Sequence, residues 1–447
     1  MATSKSSVSA QKTQLTVCIG KEGLPVGELA YVKDGAREYS VFAYGQDWLR
    51  HPSRFKVSPD LVLAPGHQVR KPPGKEDSRF FLALADTEPD AWGRRVIARA
   101  HAKERKKDPT LKALTELDYL CAVDDFSRIG ALRLCNDKGD FLRTVEQGMH
   151  ATAPLLELER MFNASRAVER SQESAQDLRY LMGKGTSLGG MRPKCTVLDD
   201  DGTLALGKFP SVKDERSITR GEVLALRLAC QAGIAAANAR IVMIKDSPIA
   251  VISRFDRSAD QCRIAYLSAA SLLQTSRNEE HSYTEVVDAM RTACVEAKAD
   301  AQQLWRRLVF NHLITNVDDH LQNLGFLYMG NGLWRLAPAF DLNPFPDKDR
   351  ESKTWLSEDT GPITSIETLI EKAGYFHLAE PEALAVLADV HDAVTGWRSL
   401  AMSAEVGLTA AEVEEFAPAF EHAEMDRVKA LLSVNFRHHQ IILNQKK

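Results

Sequence analysis

The order of elements between residues 184 and 256 constrains this chain most. "KGTSLGGMRPKCTVLDDDGTLALGKFP" reads as a glycine-rich turn leading into two strands, the second carrying Lys208, with a tight Asp-Gly turn between them. "SITRGEVLALRLACQAGI" follows as a helix, with Thr219 and Glu222 at capping-box spacing and Gly233 as its stop. Two strands then close the block, "ARIVMI" and "IAVISRFD", joined by Lys-Asp-Ser-Pro.

On the N-terminal side, "LTVCIG" and "GELAYVKDGAREYSVFAY" alternate apolar and polar residues around Gly and Asp-Gly, which predicts short antiparallel strands. "HQVRKPPGKEDSRF" reads as a charged, proline-bearing loop, while "EPDAWGRRVIARAHAKE", "TELDYLCAVDD" and "PLLELERMFNASRAVER" have helical spacing, with "GALRL" a strand before the last of them. From residue 265 the pattern is mainly helical, interrupted by "TNVDDHLQN" and by a hairpin, "GFLYMGNGLWRLAPAFDLNP", with Asp341 at its exit. This predicts a disordered 1–14, a β-rich subdomain at 15–150, a second strand-bearing part with the glycine-rich turn at 151–255 and a helical lobe at 256–447.

A chain of 447 residues with 44% hydrophobic and 26% charged residues can bury two or three cores. Its 57 basic against 61 acidic residues leave a net charge of -4, so bulk charge gives no case for nucleic acid or an anionic membrane as main partner. Seven scattered cysteines, none in a C-x-x-C pair, argue against a zinc site or a disulfide framework. The polar start and the lack of a long apolar run lead us to expect a cytoplasmic protein.

Asp318 and Asn323 lie beyond the helix "AQQLWRRLVFNHLIT" at the D-x-x-x-x-N interval of a kinase catalytic loop, where Asp serves as base and Asn holds magnesium. A polar loop capping a helix would look the same. Asp341, at a strand end 18 residues after Asn323, is where a kinase places its metal-binding Asp, although an Asx turn would also account for it. Lys208 and Glu222 stand as a strand lysine and a helix glutamate do in kinases, but capping alone explains the glutamate. "GKGTSLGGMRPK" is neither a Walker A nor a Rossmann fingerprint; it can cradle phosphate at Gly189 and Gly190, with Arg192 and Lys194 supplying charge, or be a plain surface loop. His320 beside two aspartates makes a poor zinc site, and no G-x-S-x-G occurs.

In that order, "SLGGMRPK", "LGKFP", "SRFDR", "NVDDHLQN" and "LAPAFDLNP" resemble the HipA family of serine/threonine kinase toxins, and "GELAYVKDGAREYSVFAYGQDWL" and "ADTEPDAWGRRVI" look like its N-terminal region. The resemblance implies an α+β, two-lobed protein-kinase-like fold with an extra β-rich N-terminal subdomain and a mainly helical C-terminal lobe. It implies Asp318 as base, Asn323 and Asp341 as magnesium ligands, and Lys208, supported by Glu222, as the phosphate-binding lysine. Gly189, Gly190, Met191, Arg192, Pro193 and Lys194 would form the phosphate loop. His320, Leu321 and Gln322 would line the phosphates, Ser253, Arg254 and Phe255 would meet adenine, and Phe340 would flank the nucleotide. Ser187 matches the serine that the family autophosphorylates to eject the loop. Ser253 departs from the glutamate common there, and Asp319 blurs the register, which the spacing to Asn323 settles for Asp318.

The implied function is an ATP- and Mg2+-dependent kinase, the persistence-linked toxin of a toxin–antitoxin pair. Its target would be a translation component such as an aminoacyl-tRNA synthetase. Its partner would be a small dimeric helix-turn-helix antitoxin, HipB-like, through which it reaches operator DNA. A small-molecule kinase of related fold and a catalytically silent module of a repressor complex are the alternatives.

Overall fold

Alternation of apolar and polar residues over 27–44 puts one side chain in two on the inner face of a sheet, and that pattern builds the N-terminal region. In the computed structural model, which describes residues 11–445 apart from 36, 73, 75, 144–153, 185–189, 200 and 276–278, the strands β1 (Gln11–Ile19), β2 (Leu24–Asp34), β3 (Arg37–Tyr44), β4 (Gln68–Arg70) and β5 (Leu132–Cys135) form one sheet in the order β4-β3-β2-β1-β5. Neighbouring strands pair antiparallel throughout, and a bulge at Val17/Cys18 shifts the β1–β2 pairing. Val17, Leu29, Tyr31 and Phe42 are buried on one face together with Phe80, Phe81 and Trp92. β4 lies inside the segment expected to be a loop: three residues are too few to show alternation, and they pair with Ser40–Phe42. Helix Ala91–Lys107 starts on Asp90, which accepts the Gly93 N–H at 2.7 Å, and helix Glu116–Ala122 on a Thr115/Asp118 capping box.

Further along come β6 (Lys194–Leu198), β7 (Leu204–Lys208), β8 (Ala239–Ile244) and β9 (Ser247–Ser253), with helix Ile218–Gln231 between β7 and β8. β7 and β8 both pair antiparallel with β9, and Lys208 stands opposite Ala250. Helix Ala297–Leu313 carries Trp305, Leu308, Val309 and Phe310 into the helical core, where helices Ile366–Lys372, Glu380–Thr395 and Ala410–Phe420 bury Leu369, Leu387 and Phe416. β10 (Tyr266–Ser268), β11 (Gly325–Gly330), β12 (Leu333–Leu336), β13 (Trp355–Ser357) and β14 (Gly361–Pro362) interrupt this helical part; the last two carry no alternation to read in the sequence. This is the mixed fold the sequence implied, with sheets toward the N-terminus and helices toward the C-terminus.

Two compact units emerge, and they interleave along the chain. One comprises Met1–Leu204, Asp256–Glu279 and Leu327–Gly332; the other comprises Ala205–Phe255, Glu280–Phe326 and Leu333–Lys447. The boundary expected near residue 150, the residues before Gln11, Ser187 and Gly189 lie outside the described residues. Among the described residues no helix is long and apolar enough to cross a membrane, and all seven cysteines are free.

Candidate active site

The second unit holds most of the candidate residues. Lys208 ends β7, and its Nζ donates to Glu222 Oε1 at 2.5 Å and to Asp341 Oδ1 at 2.7 Å. Its side chain is 11% exposed, against 4% for Glu222 and 21% for Asp341. Burial alone would lower the lysine's pKa, but the charges of Asp341 and Glu222 and their hydrogen bonds outweigh it and hold the ammonium above its ordinary value.

Capping does not account for Glu222. The helix begins at Ile218, Ser217 makes no side-chain cap, and Thr219 is already helical, its hydroxyl donating to the Pro248 carbonyl at 2.8 Å. Glu222 is thereby left for Lys208. Gly221 beside it is required by packing: a Cβ there would stand 2.8 Å from the Phe416 ring.

Asp341 is delivered by backbone. Ala237 N–H donates to the Ala339 carbonyl at 2.8 Å and Ala339 N–H to the Ala235 carbonyl at 2.7 Å, one rung of parallel pairing. Two residues later Asp341 takes a left-handed φ of 55° that carries its carboxylate to Lys208. Asn343, two positions on, donates to the same oxygen at 3.2 Å.

The polar stretch after helix Ala297–Leu313 is anchored at both ends. Thr315 has φ 54°, an outlier for a β-branched residue, and is held by its hydroxyl on the Ala419 carbonyl (2.9 Å) and by Phe345 N–H on its own carbonyl (3.1 Å). Asn316 bridges Asn311 and the Asn343 N–H. Asp319 is buried: its carboxylate accepts the Tyr283 hydroxyl (2.8 Å) and the Lys353 N–H (2.8 Å), and its carbonyl accepts the Thr354 hydroxyl. Burial pushes its carboxyl upward against those bonds. Asp318 is 39% exposed and carries the Lys353 ammonium on Oδ1. Of the two adjacent aspartates Asp318 is the exposed one and Asp319 the buried one.

Asn323 ends a 3-10 turn, Leu321–Asn323, and its Nδ2 donates to the Asp318 carbonyl at 2.9 Å, which ties the two residues together. His320 Nε2 lies 3.9 Å from Asp318 Oδ1, Leu321 is buried and Gln322 exposed. A small cleft is lined by Asn316, Asp319, His320, Asn323, Phe340 and Asp341 among others. Phe340 and Phe255 stand 5.5 Å apart between ring centroids, and Ser253 N–H bonds the Asn238 carbonyl.

The remaining candidates belong to the first unit. Gly190, at φ 91°, accepts the Trp92 N–H; Met191 is 81% exposed, Arg192 is half-buried and Pro193 is buried. Lys194 is buried, with its Nζ 2.8 Å from Asp90 Oδ2.

Tyr283, Asn316, Asn343, Lys353 and Thr354 were missed by sequence reasoning, because each matters only through a partner far along the chain or through a backbone bond that no motif encodes. Among the described residues no three His, Cys, Asp or Glu side chains group to hold a metal. One carboxylate and one amide, Asp341 and Asn323, suit magnesium all the same, since that ion keeps waters and takes phosphate oxygens rather than a full protein cage.

Residues 186–397 match the HipA-like C-terminal domain. A Haemophilus influenzae protein named "Putative kinase" is 24% identical over 188 residues, which is 37% of this chain and 55% of that protein, so the chain spans about half the length of this curated relative. The Shewanella oneidensis MR-1 toxin–antitoxin structure of HipA, HipB and operator DNA superposes with a TM-score of 0.63 at 16% identity, covering 94% of this chain and 99% of that one. The Helicobacter pylori proinflammatory kinase CtkA gives 0.44 at 17% identity, covering 59% and 96%. Residues 186–397 thus match a HipA-like C-terminal domain, and the chain has a fold similar to that of the Shewanella HipA.

Proposed function

We propose that this protein is an ATP- and magnesium-dependent serine/threonine protein kinase and the toxin of a toxin–antitoxin pair. The observation that carries the reading is Lys208, held between Glu222 at 2.5 Å and Asp341 at 2.7 Å: the lysine–glutamate pair that protein kinases must assemble is made, and the metal-binding aspartate stands beside it. Lys208 binds the nucleotide's phosphates, Glu222 fixes the ammonium, and Asp341 with Asn323 holds magnesium, which neutralises phosphate charge when bound. Phe255 and Phe340 offer apolar faces to the base, with Ser253 and Arg254 beside them. His320, Leu321 and Gln322 carry the loop along the phosphates.

Asp318 orients the acceptor hydroxyl and takes its proton as the terminal phosphoryl group moves to oxygen; positioning and charge neutralisation supply most of the rate. By analogy with the family, Gly189 to Pro193 would form the phosphate loop, and phosphorylation of Ser187 would set about two negative charges beside the phosphates and expel it. The Shewanella complex supports a HipB-like antitoxin as partner, with operator DNA reached through it, and by the same analogy the substrate is a translation component such as an aminoacyl-tRNA synthetase. The test is phosphoproteomics after induction, comparing wild type with Asp318→Asn: phosphopeptides unique to wild type are expected, and identical profiles sink the reading.

A further inference from the structure

Lys353 has no place in the catalytic roles above, yet its backbone is among the most firmly rooted near Asp318. Its N–H donates to buried Asp319 at 2.8 Å, the Thr354 hydroxyl donates to the Asp319 carbonyl at 2.8 Å, and Trp355 N–H donates to the His281 carbonyl at 3.0 Å. Asp319 is itself pinned by Tyr283. Out of this fixed root the Lys353 side chain emerges 58% exposed, with its ammonium on Asp318 Oδ1.

Stability does not explain that pair, because an ion pair so open to water contributes little. Catalysis does not explain it as it stands either, since a base covered by an ammonium is blocked from a hydroxyl. Both difficulties disappear if the ammonium has a second, more highly charged acceptor when nucleotide is present. A terminal phosphoryl group offers three oxygens and more negative charge than one carboxylate, and lysine is a mobile point charge on a flexible stem.

We propose that Lys353 is a catalytic residue that leaves Asp318 to bind the terminal phosphoryl group of the nucleotide, uncovering the base as the donor arrives. The inference rests on the kinase reading and deepens it. In the step it serves, the bond between the terminal phosphorus and the bridging oxygen breaks, with its electrons leaving on the diphosphate. The acceptor oxygen bonds the phosphorus and its proton passes to Asp318. Lys353 keeps its protons throughout and only changes partner.

The test uses the full chain with Mg2+ and two probes, ADP and the non-hydrolysable triphosphate AMP-PNP, titrated by calorimetry into wild type, Lys353→Met and Lys353→Arg. Losing one charged contact should weaken AMP-PNP binding about tenfold in Lys353→Met while leaving ADP within about twofold, with Lys353→Arg recovering most of the difference. Single-turnover transfer in Lys353→Met should fall about a hundredfold. Equal weakening of both nucleotides, or an unchanged AMP-PNP affinity, overturns the assignment of Lys353 alone. A wild type that binds neither nucleotide overturns the kinase reading and this inference with it.

Discussion

Two buried lysines, Lys194 in the first unit and Lys208 in the second, face buried carboxylates in different ways. Lys194 meets one, Asp90, which also caps helix Ala91–Lys107; charge is balanced and both groups serve the fold. Lys208 meets two, Glu222 and Asp341, in a site that is mostly buried. A lysine held by the residue that caps a helix reads as architecture, whereas one shared between two carboxylates from distant parts of the chain reads as part of a site. Burial of a charged group therefore says little about its task until its partners are known.

The largest effect should come from Lys208 and from Asp318, the proposed base. Lys208→Met leaves two carboxylates facing each other and should remove phosphate transfer altogether, with about 3–5 kcal/mol lost from urea unfolding. Asp318→Asn should lower single-turnover transfer by about a thousandfold or more while nucleotide affinity holds. Asp319→Asn, its buried neighbour, should instead cost stability, about 1–3 kcal/mol, with a smaller loss of rate; equal rate losses at both positions would break the division between them. In the first unit, Asp90→Ala removes a cap and half of a buried pair and should cost about 3–5 kcal/mol in urea unfolding. If it lowers nucleotide affinity as well, Lys194 rejoins the phosphate loop and the contrast between the lysines narrows.

Acid should also tell the units apart. In the second unit burial lowers His422 to about 4, while Glu424, which burial alone would raise, is brought to about 2 by the His312 and Ile366 bonds. Both folded values lie below the unfolded ones, so their stabilisation is present near neutral pH and is lost as pH falls, first through His422 below about 6.5. In the first unit burial raises Asp86 to about 6 and Asp124 to about 7, which has the opposite sign: these groups strain the fold as pH rises from about 4 to 7 and are relieved on acidification. Hydrogen exchange at pH 7 and pH 5 should show protection falling around His422 and holding or rising around Asp124. Gly221→Ala should leave the charged groups in place and cost about 1–3 kcal/mol of thermal stability from the clash with Phe416.

Much of this was legible in the sequence. The alternation over 27–44 and the apolar stripe of 297–313 are long enough to fix their elements, and Lys208, Asp318, Asn323 and Asp341 stand out because chain order and spacing are what the chemistry needs. Glu222 was obscured because Thr219 three residues before it imitates a cap, and only the position of the helix start removes that explanation. β4 is too short to be seen. Lys353 could not be found at all, since its link to Asp318 is set by a backbone bond to Asp319 across 34 residues.

The interleaving of the units bears on how the protein is made. The chain passes between them at 204/205, 255/256, 279/280, 326/327 and 332/333, so no leading fragment contains the whole first unit until Gly332 has been synthesised. By then β7, β8 and β9, helix Ala297–Leu313 and Asp318 of the second unit have been made. Domains that follow one another along a chain can mature in sequence on the ribosome. Here the first unit becomes complete only at Gly332, after much of the second has been made, and a premature stop anywhere before Gly332 yields a product that lacks part of both.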